Sequence, residues 1–275
     1  RSSRIVGVRN PTPFQGEPAP RDVCARRNAA GARGDARAIR AERVVYRDLR
    51  GEESGGLRGA RVRARRLHSD RRHQLERAAA SGYTAKGASE LEYFLFQDSY
   101  QEAAEKRYSD LKPAGWYIED YHILQTSREE GLVRAIRNHM EAARVPVEFS
   151  KGEWGRGQEE INLRYAEALE MADRHVLYKH GVKEIAWAQG ASVTFMAKYD
   201  MGAAGSSFHL HSSVWDPRGR KNLFAAHGSR AGTPLFRHWL AGQMAMARDF
   251  AYFYAPTINA YKRYQAGSFA PTRIA

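Results

Sequence analysis

Apolar and polar positions fall into ordered patterns only from about residue 73 onward. Gln74 to Ala80 reads as the end of a helix closed by Ser81-Gly82. Leu91, Tyr93 and Leu95 then alternate with Glu90, Glu92 and Phe94, which predicts a strand over 88–96. Ser127 and Glu130 have capping-box spacing, and Leu132, Val133, Ile136 and Met140 share one helical face. Together they predict a helix over 128–144, terminated by Pro146. Val147 to Ser150 reads as a strand, and the glycines at 152, 155 and 157 make a tight connection to another that carries Glu160. Farther on, the pattern predicts a helix over 166–189, a strand over 192–197, a loop over 200–206 and a strand over 208–213. A last helix is predicted over 235–254, with Phe236, Leu240, Met244 and Ala247 in register.

Composition divides the chain at the same point. Of 275 residues, 43% are hydrophobic, enough for a sizeable core, and no apolar run approaches the roughly 20 residues of a membrane span. No signal peptide opens the chain, and Cys24 is the only cysteine, which excludes an internal disulfide framework and a multi-cysteine zinc site. A cytoplasmic protein with no membrane partner is expected. The net charge of +13 suggests a nucleic-acid binder, but residues 1–72 alone carry a net +11 and the remainder only +2. That leader holds 19 Arg and no Lys, and of the aromatic residues only Phe14 and Tyr46. It reads as disordered or mistranslated, in the manner of a GC-rich stretch translated out of frame. An arm that pairs arginines with phosphates is the competing reading and rests on this segment alone. Function is expected in residues 73–275.

The chemistry lies on the alternating segments. Two residues apart on a strand, Glu90 and Glu92 share one face about 7 Å apart, where they repel unless a cation compensates. His209 and His211 share a face in the same way beside the Gly/Ser-rich loop. Adding Glu153 and Glu160, several segments offer inward carboxylates with an imidazole, a hard, oxygen-rich donor set that suits Mg²⁺ or Mn²⁺ rather than zinc or copper. Two such ions beside basic residues and a Gly-rich loop suit ATP-dependent phosphoryl transfer.

Five blocks carry a more specific signal: Glu90-Leu91-Glu92-Tyr93; Glu153-Trp154-Gly155-Arg156-Gly157-Gln158-Glu159-Glu160; Phe195-Met196-Ala197-Lys198; Gly205 through Ser213; and Asn259-Ala260-Tyr261-Lys262-Arg263. In this order, over about 73–275, the chain resembles the catalytic domain of the glutamine synthetase family. The resemblance implies an α+β fold, a curved and mostly antiparallel sheet with Glu and His on its concave face and helices packed outside. It implies an ATP-dependent glutamate–amine ligase that forms γ-glutamyl phosphate and then a γ-glutamyl amide. It further implies two or more Mg²⁺ or Mn²⁺ ions: one on Glu92, Glu153 and Glu160, a second on Glu90 and His209. Tyr165, His211 and Ser213 would line the nucleotide, Gly205 the glutamate loop, and Arg263 would hold the substrate carboxylate and act in catalysis. A ring-shaped homo-oligomer is the family's assembly.

Departures from the family pattern bear on the amine. Ala204 stands where ammonia-using members have Asn, and Phe269, in the turn Ala266-Gly267-Ser268-Phe269-Ala270-Pro271, stands where they have the glutamate that binds ammonium. Phe cannot accept a proton, and the turn resembles the γ-glutamyl-polyamine and γ-glutamyl-ethanolamide branch. Residues 1–72 match nothing of the family's β-grasp domain, and its C-terminal ATP-binding arginines and last metal glutamate correspond to positions past Ala275. The expectation from these gaps is weak or absent catalysis by the chain alone, and a non-catalytic, regulatory relative is the alternative reading.

Overall fold

The computed structural model describes residues 72–226, 232–265 and 268–270. The Arg-rich leader through residue 71, and Ala266, Gly267 and Pro271 of the amine-side turn, lie outside the described residues. Residues 72–80 are helical and reverse at Gly82, whose φ of 81° favours glycine. The chain then enters a 13-residue strand, β1 (Thr84–Phe96), four residues ahead of its expected start.

Around β1 the sheet is assembled antiparallel throughout. β2 (Val147–Gly152) pairs β3 (Gln158–Leu163), and β3 pairs β1 over Glu90–Phe94. The two-residue β4 (Ala166–Glu167) continues that edge of β1. The opposite edge takes β5 (Ser192–Thr194) near Phe96 and β6 (Phe208–Trp215) over Thr84–Leu91. With its helices, this is the α+β class that the sequence implies. β5 stops short of the expected 197 because the chain turns away at Phe195, whose ring packs against Tyr93 at 5.5 Å.

Strand alternation separates two environments. Leu91, Tyr93 and Leu95 of β1, with Ile161 and Leu163 of β3, face two helices, α2 (Ile123–Ala142) and α3 (Ala168–Ala188). Leu132, Ile136 and Met140 of α2 and Leu177, Tyr178, Val182 and Ile185 of α3 complete that core. The intervening residues Glu90, Glu92, Gln158, Glu160 and Asn162 belong to the other face. Burial of the apolar face is what holds the polar one flat against solvent-accessible space.

Helix boundaries differ from expectation in instructive ways. α2 begins at Ile123, so Ser127 lies inside it, where its Oγ donates to the Ile123 carbonyl at 2.8 Å instead of capping. A capping box does form, at Ser99 and Glu102 of the short α1 (Tyr100–Glu105). α3 starts two residues late because Ala166 and Glu167 are spent on β4. The helix expected over 235–254 is broken at Met246 into α4 (Pro234–Ala245) and α5 (Ala247–Tyr254). Neither has a buried residue among those described, and Leu240 of the expected apolar face is 49% exposed. A short α6 (Ile258–Tyr261) precedes Arg263.

Stability therefore rests on the sheet and α2–α3. Ile136→Ala is expected to cost about 2–5 kcal/mol in urea unfolding of the chain, because it opens a cavity in a fully buried site. Leu240→Ala, at an exposed position, is expected to stay within about 0.5 kcal/mol.

Candidate active site

The polar face of the sheet is organised by register. Glu92 of β1 lies opposite Glu160 of β3, which in turn lies opposite Lys151 of β2. One rung away, Glu90 sits between Asn162 of β3 and His209 of β6. Glu153 arrives from the turn after β2, where Gly157 at φ 69° allows the reversal; a side chain there would meet the Leu95 carbonyl oxygen at 2.6 Å. Carboxylate oxygens of Glu92, Glu153 and Glu160 all lie within 4.8 Å of one another. His209 Nε2 is 3.8 Å from Glu90 and 3.9 Å from Glu92, so the five residues expected to ligate metal come together in one place.

Each carboxylate is held by neighbours. Glu92, only 7% exposed, accepts hydrogen bonds from Gln158 Nε2 at 2.9 Å, from the Ser207 amide at 3.0 Å and from the Ser207 hydroxyl. Glu160 accepts from Asn162 Nδ2 at 2.7 Å. Glu153 accepts from Lys151, which also bonds Asp120 at 3.3 Å. Burial, then the charges of Glu90 and Glu153, push the Glu160 carboxyl up to about 7 despite its bond from Asn162. Burial first, and Glu92 among its neighbours, raises Glu153 as well, against the bond from Lys151. Three desolvated carboxylates with one ammonium among them remain short of positive charge, and their oxygen donors with a nearby imidazole fit a hard divalent cation.

This cluster lines one open cavity of about 1460 Å³ that also takes in Gly205, Arg263 and Phe269. Gly205 is a glycine for lack of room: a Cβ there would meet Arg263 Nε at 2.6 Å and the Ala197 carbonyl at 3.0 Å. Its carbonyl accepts from Gln158, while Arg263 donates to the Ser206 carbonyl at 3.0 Å. Phe269, 85% exposed, meets the Trp154 ring edge-on at 5.8 Å. The three residues expected at the nucleotide lie along and beside β6, next to the cavity. His211 bonds Glu90 at 2.7 Å from beyond the cavity lining. Ser213 pairs with Lys86, four residues up β1 from Glu90, and accepts from Trp215. Tyr165 stacks on Trp215 at 5.9 Å, with the Lys86 ammonium 5.6 Å from the Tyr165 ring and 4.1 Å from the Trp215 ring.

Gln158, Ser207, Asn162 and Lys151 orient the carboxylates; Gln158 and Ser207 stand within the blocks that carry the family resemblance, but none of the four was expected in that role. Asn162 carried a signal, standing two residues beyond Glu160 on the same strand face. Ser207, though within a family block, gave no sign of its partner, because its bond to Glu92 spans 115 positions of chain.

A family model described as glutamine synthetase, catalytic domain, matches residues 69–275. Over 204 residues the chain is 50% identical to gamma-glutamylethanolamide synthetase GlnA4 of Streptomyces coelicolor, covering 74% of this chain and 43% of that protein. It is 34% identical over 199 residues to glutamate–isopropylamine ligase of a Pseudomonas species, covering 72% of this chain and 43% of the relative. A solved GmaS–ADP complex superposes with a TM-score of 0.63 at 29% identity, over 74% of this chain and 45% of that one. The chain thus spans less than half the length of the curated relatives it matches.

Because Glu160 must lose its proton to ligate, divalent-cation affinity is expected to be roughly tenfold weaker at pH 6 than at pH 8, with proton release on binding. Calorimetry in buffers of different ionisation enthalpy measures both. Glu160→Gln is expected to remove most of this pH dependence along with most of the affinity.

Proposed function

The chain belongs to the glutamine synthetase family, and from that premise we propose that it carries the catalytic core of an ATP-dependent ligase joining glutamate to an organic amine. The observation that carries this reading is the convergence of Glu92, Glu153 and Glu160 within 4.8 Å, beside Glu90 and His209, in the cavity that Arg263 also lines. In this reading Glu92, Glu153 and Glu160 hold one Mg²⁺ or Mn²⁺, and Glu90 with His209 a second. Such ions supply Lewis-acid neutralisation of phosphate charge.

The side chains of the protein do the remaining work. Arg263, kept in place by its bond to Ser206 and by the bare backbone of Gly205, binds the α-carboxylate of glutamate. That leaves the γ-carboxylate directed at the acidic cluster. A γ-carboxylate oxygen attacks the γ-phosphorus of ATP, the bond to the bridging oxygen breaks, and ADP leaves with that electron pair. The amine nitrogen then attacks the γ-carbonyl carbon of γ-glutamyl phosphate. Inorganic phosphate departs with the C–O electrons, and the nitrogen gives up its proton to a carboxylate of the cavity, for which Asp120 is placed. At the amine side, Phe269 and Trp154 present an apolar wall in the cavity that Asp120 and Glu153 also line. A cationic head group with a carbon substituent suits that combination, and the names of the ethanolamide and isopropylamine relatives agree with it. His211, Ser213 and Tyr165, on the polar strand β6 and beside it, are assigned to the nucleotide by likeness to the family. A cytoplasmic homo-oligomer is part of the same reading.

Calorimetry with a non-hydrolysable ATP analogue tests the core of the proposal. Binding is expected to require Mg²⁺ or Mn²⁺ and to fall at least tenfold in Glu160→Gln; metal-independent binding would refute it. Phosphate release with glutamate and a panel of amines tests the rest. Ethanolamine or isopropylamine should support more turnover than ammonium, and Phe269→Glu should shift that preference toward ammonium. Turnover with ammonium alone would reject the role given to Phe269. Metal-dependent nucleotide binding without any turnover would favour the non-catalytic alternative.

A further inference from the structure

On the opposite face of β3 from the cavity, a second set of carboxylates converges. Because Glu159 sits between Gln158 and Glu160, alternation turns it away from the cavity and toward α2. There oxygens of Glu159, Glu119 and Glu129 lie within 4.8 Å of one another, each residue buried, Glu159 to 1% exposure. Glu119 reaches in from the loop before α2, anchored by the Gly157 amide on one oxygen at 2.6 Å. Glu129 comes from the buried face of α2.

The cluster alone would be compatible with three protonated acids, but two neutral groups add to it. The Tyr93 hydroxyl, fully buried and directly across from Glu159 in the β1–β3 register, has no hydrogen-bond partner within the protein. The Gln125 side-chain oxygen, 2% exposed and one helical turn before Glu129 on the same face of α2, has none either. One oxygen each of Glu119, Glu129 and Glu159 is likewise without a donor. The free oxygens of Glu119, Glu129, Glu159 and Gln125 accept no hydrogen bond from the protein; a proton shared between Glu119 and Glu159 would relieve two of them, whereas a divalent cation would relieve the whole set.

We propose that Glu119, Glu129 and Glu159, with the Gln125 carbonyl oxygen and the Tyr93 hydroxyl beside them, bind a hard divalent cation of the Mg²⁺, Mn²⁺ or Ca²⁺ class, separate from the cavity on the other face. All donors are oxygen, which excludes a zinc- or copper-type site built on sulfur and imidazole. The ion clamps three segments together: the loop that carries Asp120, the helix α2, and the strand that carries Glu160. It acts by positioning and takes no part in bond making.

Mn²⁺ is the probe. In the full chain bearing Glu90→Gln, Glu92→Gln, Glu153→Gln, Glu160→Gln and His209→Asn, which removes the ligands of both ions proposed for the cavity, equilibrium dialysis with electron paramagnetic resonance is expected to find one Mn²⁺ per chain. Adding Glu129→Gln and Glu159→Gln should abolish it and should also abolish any Mn²⁺-induced rise in melting temperature. No bound Mn²⁺ in the first variant, as three protonated acids would give, overturns the proposal, and so does unchanged stoichiometry in the second. Crystals of the unaltered chain grown with MnCl₂ provide a check that does not depend on any variant folding. An anomalous peak among Glu119, Glu129 and Glu159 is expected, and no peak there overturns the proposal. Peaks at this place and at Glu92–Glu153–Glu160 are read independently, so failure of one site leaves the other tested.

Discussion

Like charge held together out of water is the constraint on which the arrangement depends. Glu92 and Glu160 are 7% and 4% exposed and lie in one rung of an antiparallel pair, with Glu153 swung in beside them. Mutual repulsion would spread such side chains if the backbone could yield. It cannot, because the reverse faces of the same strands carry Leu91, Tyr93, Leu95, Ile161 and Leu163 into the core against α2 and α3. Sliding either strand by one residue would put carboxylates into that core and leucines into the cavity. Hydrophobic burial on one face thus enforces electrostatic crowding on the other, and an electrostatically crowded oxygen cluster is what a divalent cation relieves.

The hydrogen bonds around the cluster are a consequence of the same register. Gln158 holds Glu92 with its amide nitrogen while also reaching the Gly205 carbonyl, so the carboxylate and the loop beside Arg263 share one donor. Asn162 fixes Glu160 within the strand, and Ser207 closes on Glu92 from the entry to β6. Neutral donors of this kind orient carboxylates without cancelling their charge. A salt-bridged alternative, with an arginine in place of Gln158, would stabilise the apo protein and leave less for a metal to gain. Lys151 comes nearest to that role, and it bonds Glu153 and Asp120 without reaching Glu92 by hydrogen bond.

What the sequence made legible is what period and spacing encode. The two-residue alternation marked β1 and placed Glu90 and Glu92 on one face; the 3.6-residue pattern marked the buried stripe of α2. Ordered family blocks then indicated which acids on separate segments belong together. Local chemistry was less legible where two uses compete. Ser127 has the spacing of a cap and instead bonds back along the helix, because α2 starts at Ile123 without any side-chain cap. Met246 interrupts a continuous-looking helical pattern, and nothing in its side chain signals a break. Tertiary contacts between distant positions were invisible, Ser207 with Glu92 among them, since register between non-adjacent strands has no local signature. The alternation that fixes Glu160 in the cavity also commits Glu159 to the apolar side, and that was readable from Gln158-Glu159-Glu160; what α2 and the preceding loop would bring to meet it was not.

On the proposed amine side, one residue would redirect the reaction while leaving the acidic cluster unchanged. In the proposed function the acidic cluster and Arg263 engage phosphate and glutamate. In that reading the nucleophile would arrive from the side of Trp154 and Phe269, whose rings meet edge to face, where Phe269 offers no carboxylate. Ammonium is small and strongly hydrated, and it can be stripped of water only where oxygens replace the lost solvent. An alkylammonium has an apolar flank whose transfer onto aromatic surface is favourable, by about 25 cal/mol per Å² of apolar area removed from water. Replacing a carboxylate by a phenyl ring therefore weakens the case for the first nucleophile and strengthens it for the second through a single change. The remaining charge of the amine still has Glu153 and Asp120 in the same cavity to meet it. Specificity on this face would then come from what the ring cannot offer ammonium as much as from what it offers a carbon chain.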